Sequence, residues 1–486
     1  MKSLFIDYNP FFVRAALVED GELVEFLAEH VSARGHVGNI YKGKVENVLG
    51  GMKAAFVNIG LERNGFLYVG EDGDEKKRAS ESLPKLSPGD TVMCQVVKEQ
   101  FDMKGARLTL DITLPGYYTV LLPKNRFRGV SRKIEDEGRR RYLEELIDSV
   151  CPQNMGFIVR SAAINAGDCD ITDEIAVLAE QWKAVERSYD SALPTSVVFR
   201  EAQLLERVVR DIHGENMDRV VVNEAELADM LAGRVGDAKI EIYGGDRNIF
   251  RYYGIATQVD KLAERRVEVE GGAYIVIDKT EALTVIDVNT GRYVGSKDLE
   301  DTVFRTNCAA AVTIAKQLRL RNISGIVIID FIDMQQDEHK RAVVELLRAE
   351  LKKDRLKTSV VSMTNLGLVE LTRKRTRLPA DSFMLDACPD CMGGRVVSGA
   401  HLALNLRDEL IDYTLVHRHS AYTVRLNPSV CDCVFDYKIM VRETAGLWKG
   451  KRIYMIPDES VKRDAFEIRG LDDKVLTLPS CARLLY

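Results

Sequence analysis

No apolar run in this chain approaches the 18 residues that would make a bilayer-spanning helix, and the first residues (Met1-Lys-Ser-Leu-Phe-Ile-Asp7) contain neither the apolar stretch nor the cleavage site of a signal peptide. Both absences point to a cytoplasmic protein with no membrane partner. There is no internal repeat and no low-complexity tail. The nine cysteines fall at irregular spacing, which fits free thiols and one metal knuckle better than a disulfide framework. Excess positive charge is also missing: the net charge is −6, which by itself argues mildly against a nucleic-acid partner. What is present is an ordinary globular composition, 46% hydrophobic and 29% charged, in a chain of 486 residues. That length holds three or more domains, each with its own core.

The charge is unevenly spread. Residues 315–377 hold 14 Lys and Arg against 8 Asp and Glu, a local net of +6. Within them, Arg373-Lys374-Arg375-Thr-Arg377 is a basic cluster of the kind that neutralises phosphates, although a solvated helix end would look similar.

Two short β-branched runs carry the chemistry: Leu283-Thr-Val-Ile-Asp287-Val-Asn289-Thr-Gly291 and Gly325-Ile-Val-Ile-Ile-Asp330-Phe-Ile-Asp333. Each reads as a buried strand that ends in carboxylates. Period-two alternation puts Asp287 and Asn289 on one face of the first strand and Asp330 on one face of the second. The segment from Glu300 to Leu320 is helix-like, so the order is strand–helix–strand and the two strands should run parallel. As neighbours they would bring Asp287 and Asp330 together at their carboxyl ends, where open α/β sheets bind ligands. Two carboxylates and an amide make a hard-cation site, most simply for Mg2+. Either Asp alone could merely end a strand; the matched pair is what argues for a site.

Elsewhere, residues 1–35 read as strands at Leu4–Ile6, Val13–Val18 and Leu23–Leu27, a hairpin that must join a sheet made by later sequence. Asp7, a solitary carboxylate, reads as structural. Residues 36–112 give five short strands with glycine corners, the pattern of an OB-type barrel. Such barrels stack bases on exposed aromatics beside cations; Phe56 and Phe66 with Lys104 are the candidates, with barrel core the stronger reading for either ring alone. Residues 113–196 are mixed, with helices near 135–150 and 173–188. Strands and helices alternate over 197–262, including strands at 219–223 and 239–243, and a final α+β segment runs from 400 to 486. Cys388-Pro-Asp-Cys391-Met-Gly-Gly394 is a turn offering two thiolates to one metal, half of a tetrahedral zinc site. Cys431 and Cys433, or the same knuckle from a second chain, could supply the other half.

The chain resembles the bacterial ribonuclease E/G family, and in length its shorter, G-type members most. The motifs that carry the resemblance are Asn39-Ile-Tyr-Lys-Gly-Lys44, Ala54-Ala-Phe-Val57, Glu281–Gly291, Arg319–Gly325 running into Ile329–Met334, Gly367–Arg375 and the Cys388/Cys391 pair. It implies a multidomain α/β chain: an RNase H-like subdomain (1–35 and 197–262) interrupted by an S1 (OB-fold) barrel (36–112) and a 5′-sensor (113–196). A DNase I-like catalytic subdomain (263–380), a zinc link (381–397) and a small α+β C-terminal domain (398–486) would follow. It further implies catalysis by Asp287, Asn289 and Asp330, with Mg2+ on the two Asp. The S1 contacts would be Phe56, Phe66 and Lys104. A 5′-monophosphate would be sensed by Arg160, Ser161 and backbone from Gly116 to Val120. Zn2+ on Cys388 and Cys391 would be shared between two protomers, giving a homodimer, with pairing of dimers into tetramers left open.

The expected activity is thus Mg2+-dependent endonucleolytic hydrolysis of single-stranded RNA, in ribosomal-RNA precursors and messenger RNA. The alternative from another class is a non-catalytic S1-type RNA-binding or ribosome-assembly factor, against which the intact acidic pair counts. A 3′ exonuclease would have no use for a 5′-end sensor.

Overall fold

A computed structural model of the protein describes residues 1–9, 12–30, 35–68, 86–98, 105–201, 208, 210, 217–232, 235, 238–280, 282–291, 299–364, 366–374, 379–388, 391, 394–471 and 478–485. It is a mixed α/β structure divided into two units, Met1–Ala33 with Asp218–Asp229 and Lys239–Tyr486, and Arg34–Met217 with Met230–Ala238.

In the first unit, Lys2–Asn9 and Phe12–Glu19 are almost wholly buried on both faces, as central strands are, with Ser3, Asp7, Asn9 and Arg14 among the buried residues. With Glu22–His30 they form an antiparallel meander. Arg219–Val222 then pairs parallel to Lys2–Asn9, and Lys239–Ile242 extends that edge. The expected later strands therefore complete the N-terminal sheet. Asp7 is buried within it: its carboxylate accepts from Arg14 Nε at 3.0 Å and from the Nδ2 atoms of Asn223 and Asn248 at 3.1 Å each. Burial alone would raise its pKa, but the Arg14 and Arg407 guanidiniums hold it below the usual carboxylate range. Asp7 thus sits inside a closed charge network that reaches Arg407 and Asp408 on the helix Gly399–Val416.

The same unit contains a six-stranded sheet in the order Arg266–Glu268, Tyr274–Lys279, Leu283–Asn289, Gly325–Asp330, Leu368–Arg373, Thr358–Met363. The strand Leu283–Asn289 buries Thr284, Ile286 and Val288 and turns Val285, Asp287 and Asn289 the other way. The helices Leu299–Leu320 and Asp337–Leu351 cover the buried face, packing Ala310, Ile314, Leu318, Val343 and Leu347 against Ile286, Val327, Ile329 and Val369. A smaller four-stranded sheet around Ala421–Leu426 packs with Gly399–Val416 to form the C-terminal core.

The second unit is built on a closed barrel. Ile40–Leu49, Ala54–Asn58, Gly65–Tyr68, Arg107–Thr109 and Thr91–Lys98 pair in that cyclic order, the last strand returning to the first, as in an OB fold. A sixth strand, Ser196–Phe199, adds to Ile40–Leu49, so the chain rejoins the N-terminal sheet only at Arg219. Beside the barrel lies a four-stranded sheet, Arg128–Val130, Gly156–Val159, Thr119–Leu122, Leu114–Pro115, whose core is closed by the helices Glu137–Val150 and Asp168–Ser191. Among the described residues, no helix is long and apolar enough to cross a membrane.

Candidate active site

Leu283–Asn289 and Gly325–Asp330 are parallel neighbours, and their register sets Asp287 directly opposite Asp330. Both carboxylates are exposed on the face that the helices leave open. Asn289, one alternation further, donates from Nδ2 to Asp287 Oδ2 at 2.7 Å. The Asp330 carboxyl is raised from its ordinary pKa by partial burial, by Asp287 and by Asp333. Asp330 therefore feels the negative charge of both Asp287 and Asp333, and positive charge placed there would relieve that repulsion. Among the described residues, no three His, Cys, Asp or Glu side chains gather as a complete metal cage. An all-oxygen pair with room for water and phosphate is nevertheless what Mg2+ takes, since it keeps several waters and needs only one or two carboxylates.

The turn that carries Asp333 is fixed by two residues that the strand motifs do not reveal. Asn307 is fully buried, and its side chain pairs with the backbone of Ile332 in both directions, Nδ2 to O at 2.8 Å and N to Oδ1 at 3.1 Å. Glu300 accepts from the amides of Gln335 and Gln336, at 3.1 Å each to Oε1, and these bonds pull its pKa down. Both lie on the crossover helix. A polar side chain at an inward helix position, as at Asn307, is the one sequence signal that could have marked them.

On the barrel, Phe56 and Phe66 are cross-strand partners with ring centroids 5.9 Å apart at 70°. Their neighbours Ala55, Val57 and Leu67 fill the interior, while both rings are half-exposed on the outer face. The barrel-core reading of the two rings is therefore overturned. Lys104 lies outside the described residues, but Arg107 stands in register with Phe66.

Arg160 follows the strand Gly156–Val159; its amide donates to Tyr118 O at 2.7 Å and its Nη1 to Gly116 O at 2.7 Å. Ser161, next along, is exposed, and Val120 is half-buried opposite Ile158. The structure thus brings Gly116, Val120, Arg160 and Ser161 to one end of one sheet. The basic cluster fares differently. Arg373 is buried, with Nε on Asp354 Oδ2 at 2.7 Å and Nη1 on Asn322 Oδ1 at 2.9 Å and Ile323 O at 3.1 Å. A guanidinium so enclosed does not reach a phosphate, which corrects its assignment as an RNA contact. Lys374 is exposed, and Arg375 lies outside the described residues.

Cys388 and Cys391 meet over Gly394, at the end of the hairpin Leu385–Ala387/Arg395–Val397. A Cβ on Gly394 would lie 2.6 Å from Cys391 Sγ and 3.3 Å from Cys388 Cβ, so only glycine leaves room for both thiols. Cys431 and Cys433 sit on the helix Pro428–Asp436, their thiol pKa values raised by burial. These four cysteines, all among the described residues, form no common cluster.

The ribonuclease E/G family model matches residues 113–376. The chain belongs to the ribonuclease E/G family. It is an enzyme, an endoribonuclease of that family. Ribonuclease G of Haemophilus influenzae is 37% identical over 96% of this chain and 98% of its own length. Ribonuclease G of Escherichia coli K12 is 35% identical over 96% and 99%, and ribonuclease E of the same organism is 33% identical over 81% of this chain and 39% of its own length. The match to the family model contains the carboxylate corner and Arg160, whereas the barrel and the thiol pair lie outside it.

Proposed function

We propose that this ribonuclease E/G family enzyme is a Mg2+-dependent endoribonuclease that hydrolyses single-stranded RNA, favours 5′-monophosphorylated substrates and leaves 5′-phosphate and 3′-hydroxyl ends. The observation that carries the reading is the register of Asp287 against Asp330, with Asn289 bonded to Asp287. Asp287 and Asp330 would hold the cation, and Asn289 would orient the scissile phosphate. A bound divalent cation would supply a lowered pKa for the attacking water and charge neutralisation on the phosphate. Attack forms the new P–O bond as the bond to the 3′-oxygen breaks, and the proton passes to that oxygen.

The remaining surfaces support this assignment. The outward pair Phe56 and Phe66 offers π-faces to unpaired bases, with Lys104 as the neighbouring cation by resemblance and Lys374 as an exposed phosphate contact. Arg160 and Ser161, with the backbone of Gly116 and Val120, form the 5′-end sensor. In this reading the N-terminal sheet is the RNase H-like scaffold, the barrel the S1 domain, and the six-stranded sheet the DNase I-like catalytic subdomain. Cys388 and Cys391 would share Zn2+ with a second chain in a homodimer, since the pair is half a tetrahedral site. The substrates would be ribosomal-RNA precursors and messenger RNA in the cytoplasm, cut in A/U-rich segments. Circularised RNA tests the reading: cleavage in Mg2+, abolished by chelation and by Asp287→Asn, is expected. A circle left whole by the wild-type protein would overturn it.

A further inference from the structure

The loop from Gly116 to Thr119 is gripped by a side chain that sequence reasoning did not single out. Glu174 accepts from three successive backbone amides, Tyr117 at 2.6 Å, Tyr118 at 2.9 Å and Thr119 at 2.7 Å, and from Thr119 Oγ1 at 2.8 Å. Successive amides converging on one anion form the kind of nest that elsewhere binds phosphate. Here the anion is the chain's own carboxylate. Its carrier is rigid: Glu174 projects from the helix Asp168–Ser191, where Ile171, Ile175 and Leu178 are locked into the same core as Leu121, Phe157 and Val159. The loop is shaped to receive it, because a Cβ on Gly116 would lie 2.5 Å from the Glu174 carboxyl carbon.

The other side of this loop holds Arg160. The Arg160 amide donates to Tyr118 O and its Nη1 to Gly116 O, both at 2.7 Å. Glu174 therefore takes the loop's N–H groups while Arg160 takes its C=O groups, and the placement of the guanidinium depends on a loop that Glu174 fixes. With the amides of 117–119 occupied, a terminal phosphate would be left to the Arg160 and Ser161 side of the loop.

We propose that Glu174 is a positioning residue for the recognition of the RNA 5′ end: through the 116–119 loop it sets the orientation of Arg160. The proposal rests on the 5′-sensor reading above. Its test is kcat/KM of the full chain on one RNA sequence carrying either a 5′-monophosphate or a 5′-hydroxyl. Arg160→Ala and Glu174→Ala should each cut the ratio of monophosphate to hydroxyl kcat/KM by about tenfold, the scale of a lost charge-assisted contact. Because both act on one contact, the double variant should lose no more than Arg160→Ala alone. Glu174→Gln, which keeps an acceptor oxygen, should fall between, and Gly116→Ala should reproduce the loss by crowding the carboxylate. These two variants keep the question open to measurement if Glu174→Ala folds poorly. Retained preference in Glu174→Ala when Arg160→Ala has lost it would overturn the role of Glu174 alone. Equal slowing on both RNAs would make Glu174 merely structural. A wild-type protein without any monophosphate preference would overturn the sensor reading as well.

Discussion

Arg373 and Asp354 form an ion pair inside the protein: Nε meets Oδ2 at 2.7 Å, and the two side chains are 2% and 6% exposed. The guanidinium also ties down Asn322 Oδ1, Ile323 O and Ser324 Oγ, just before the strand that ends in Asp330. Its place in a run of basic residues conceals this, since a charge run is ordinarily a solvated surface.

Removing Arg373 should therefore act on the fold. Arg373→Ala leaves Asp354 buried and unpaired, and such truncations cost ~3–5 kcal/mol. Denaturant melts should show this loss, while the RNA affinity of the protein that remains folded stays near wild type. Weakened RNA binding at unchanged stability would show instead that the guanidinium reaches the substrate.

Cleavage and binding should separate at the carboxylate corner. Asp287→Asn or Asp330→Asn is expected to abolish cleavage and leave RNA affinity almost intact, because each removes charge from a metal shell and no stacking surface. Titration of RNA binding beside a cleavage assay at saturating Mg2+ decides it; wild-type turnover in either variant would remove that residue from the site.

The same corner predicts a pH dependence. Asp330 holds its proton to higher pH than an ordinary Asp because of partial burial and of the charges on Asp287 and Asp333. A protonated carboxyl cannot ligate a cation, so at subsaturating Mg2+ the rate should fall as pH drops through that raised value and recover above it. Asp333→Asn removes one like charge, lowers the Asp330 pKa, and should move the acid limb to lower pH. An acid limb that stays in place or moves upward would separate Asp333 from the titration.

The carboxylate strands are legible in the sequence because a buried parallel strand is a β-branched run and period two fixes which side chains share a face. Glycine corners reveal the five barrel strands for a similar reason. The outward facing of Phe56 and Phe66 is harder to read, since half-exposed aromatics and core aromatics occur at the same strand positions. The burial of Arg373, the Asn307 clasp on Ile332 and the Glu174 nest are not readable from spacing. They join residues 19 to 57 positions apart through contacts that only the folded chain creates.

The barrel rings can be tested directly. Phe56→Ala and Phe66→Ala should each weaken single-strand binding by ~1–3 kcal/mol, the value of a base stacked on an aromatic. Because both rings lie on the outer face, the melting temperature of the full chain should change little. A large drop in stability with unchanged RNA affinity would return the rings to a packing role.

The thiol pair predicts stoichiometry. Two thiolates satisfy half of a tetrahedral zinc shell, and Cys431 and Cys433 do not join Cys388 and Cys391 in a cluster within the chain. A closed site then needs the same knuckle from a second copy across a two-fold axis. Metal analysis should find about half a zinc per chain, as a four-thiolate site shared by two chains requires. Chelation, or Cys388→Ser with Cys391→Ser, should shift the mass in solution toward monomer. Gly394→Ala should do the same with both thiols intact, because its Cβ would fall 2.6 Å from Cys391 Sγ. The Cys431→Ser, Cys433→Ser double variant should keep both its metal and its dimer. A full equivalent of zinc on a monomer, lost in that double variant, would place the ion within one chain and leave the carboxylate site unaffected.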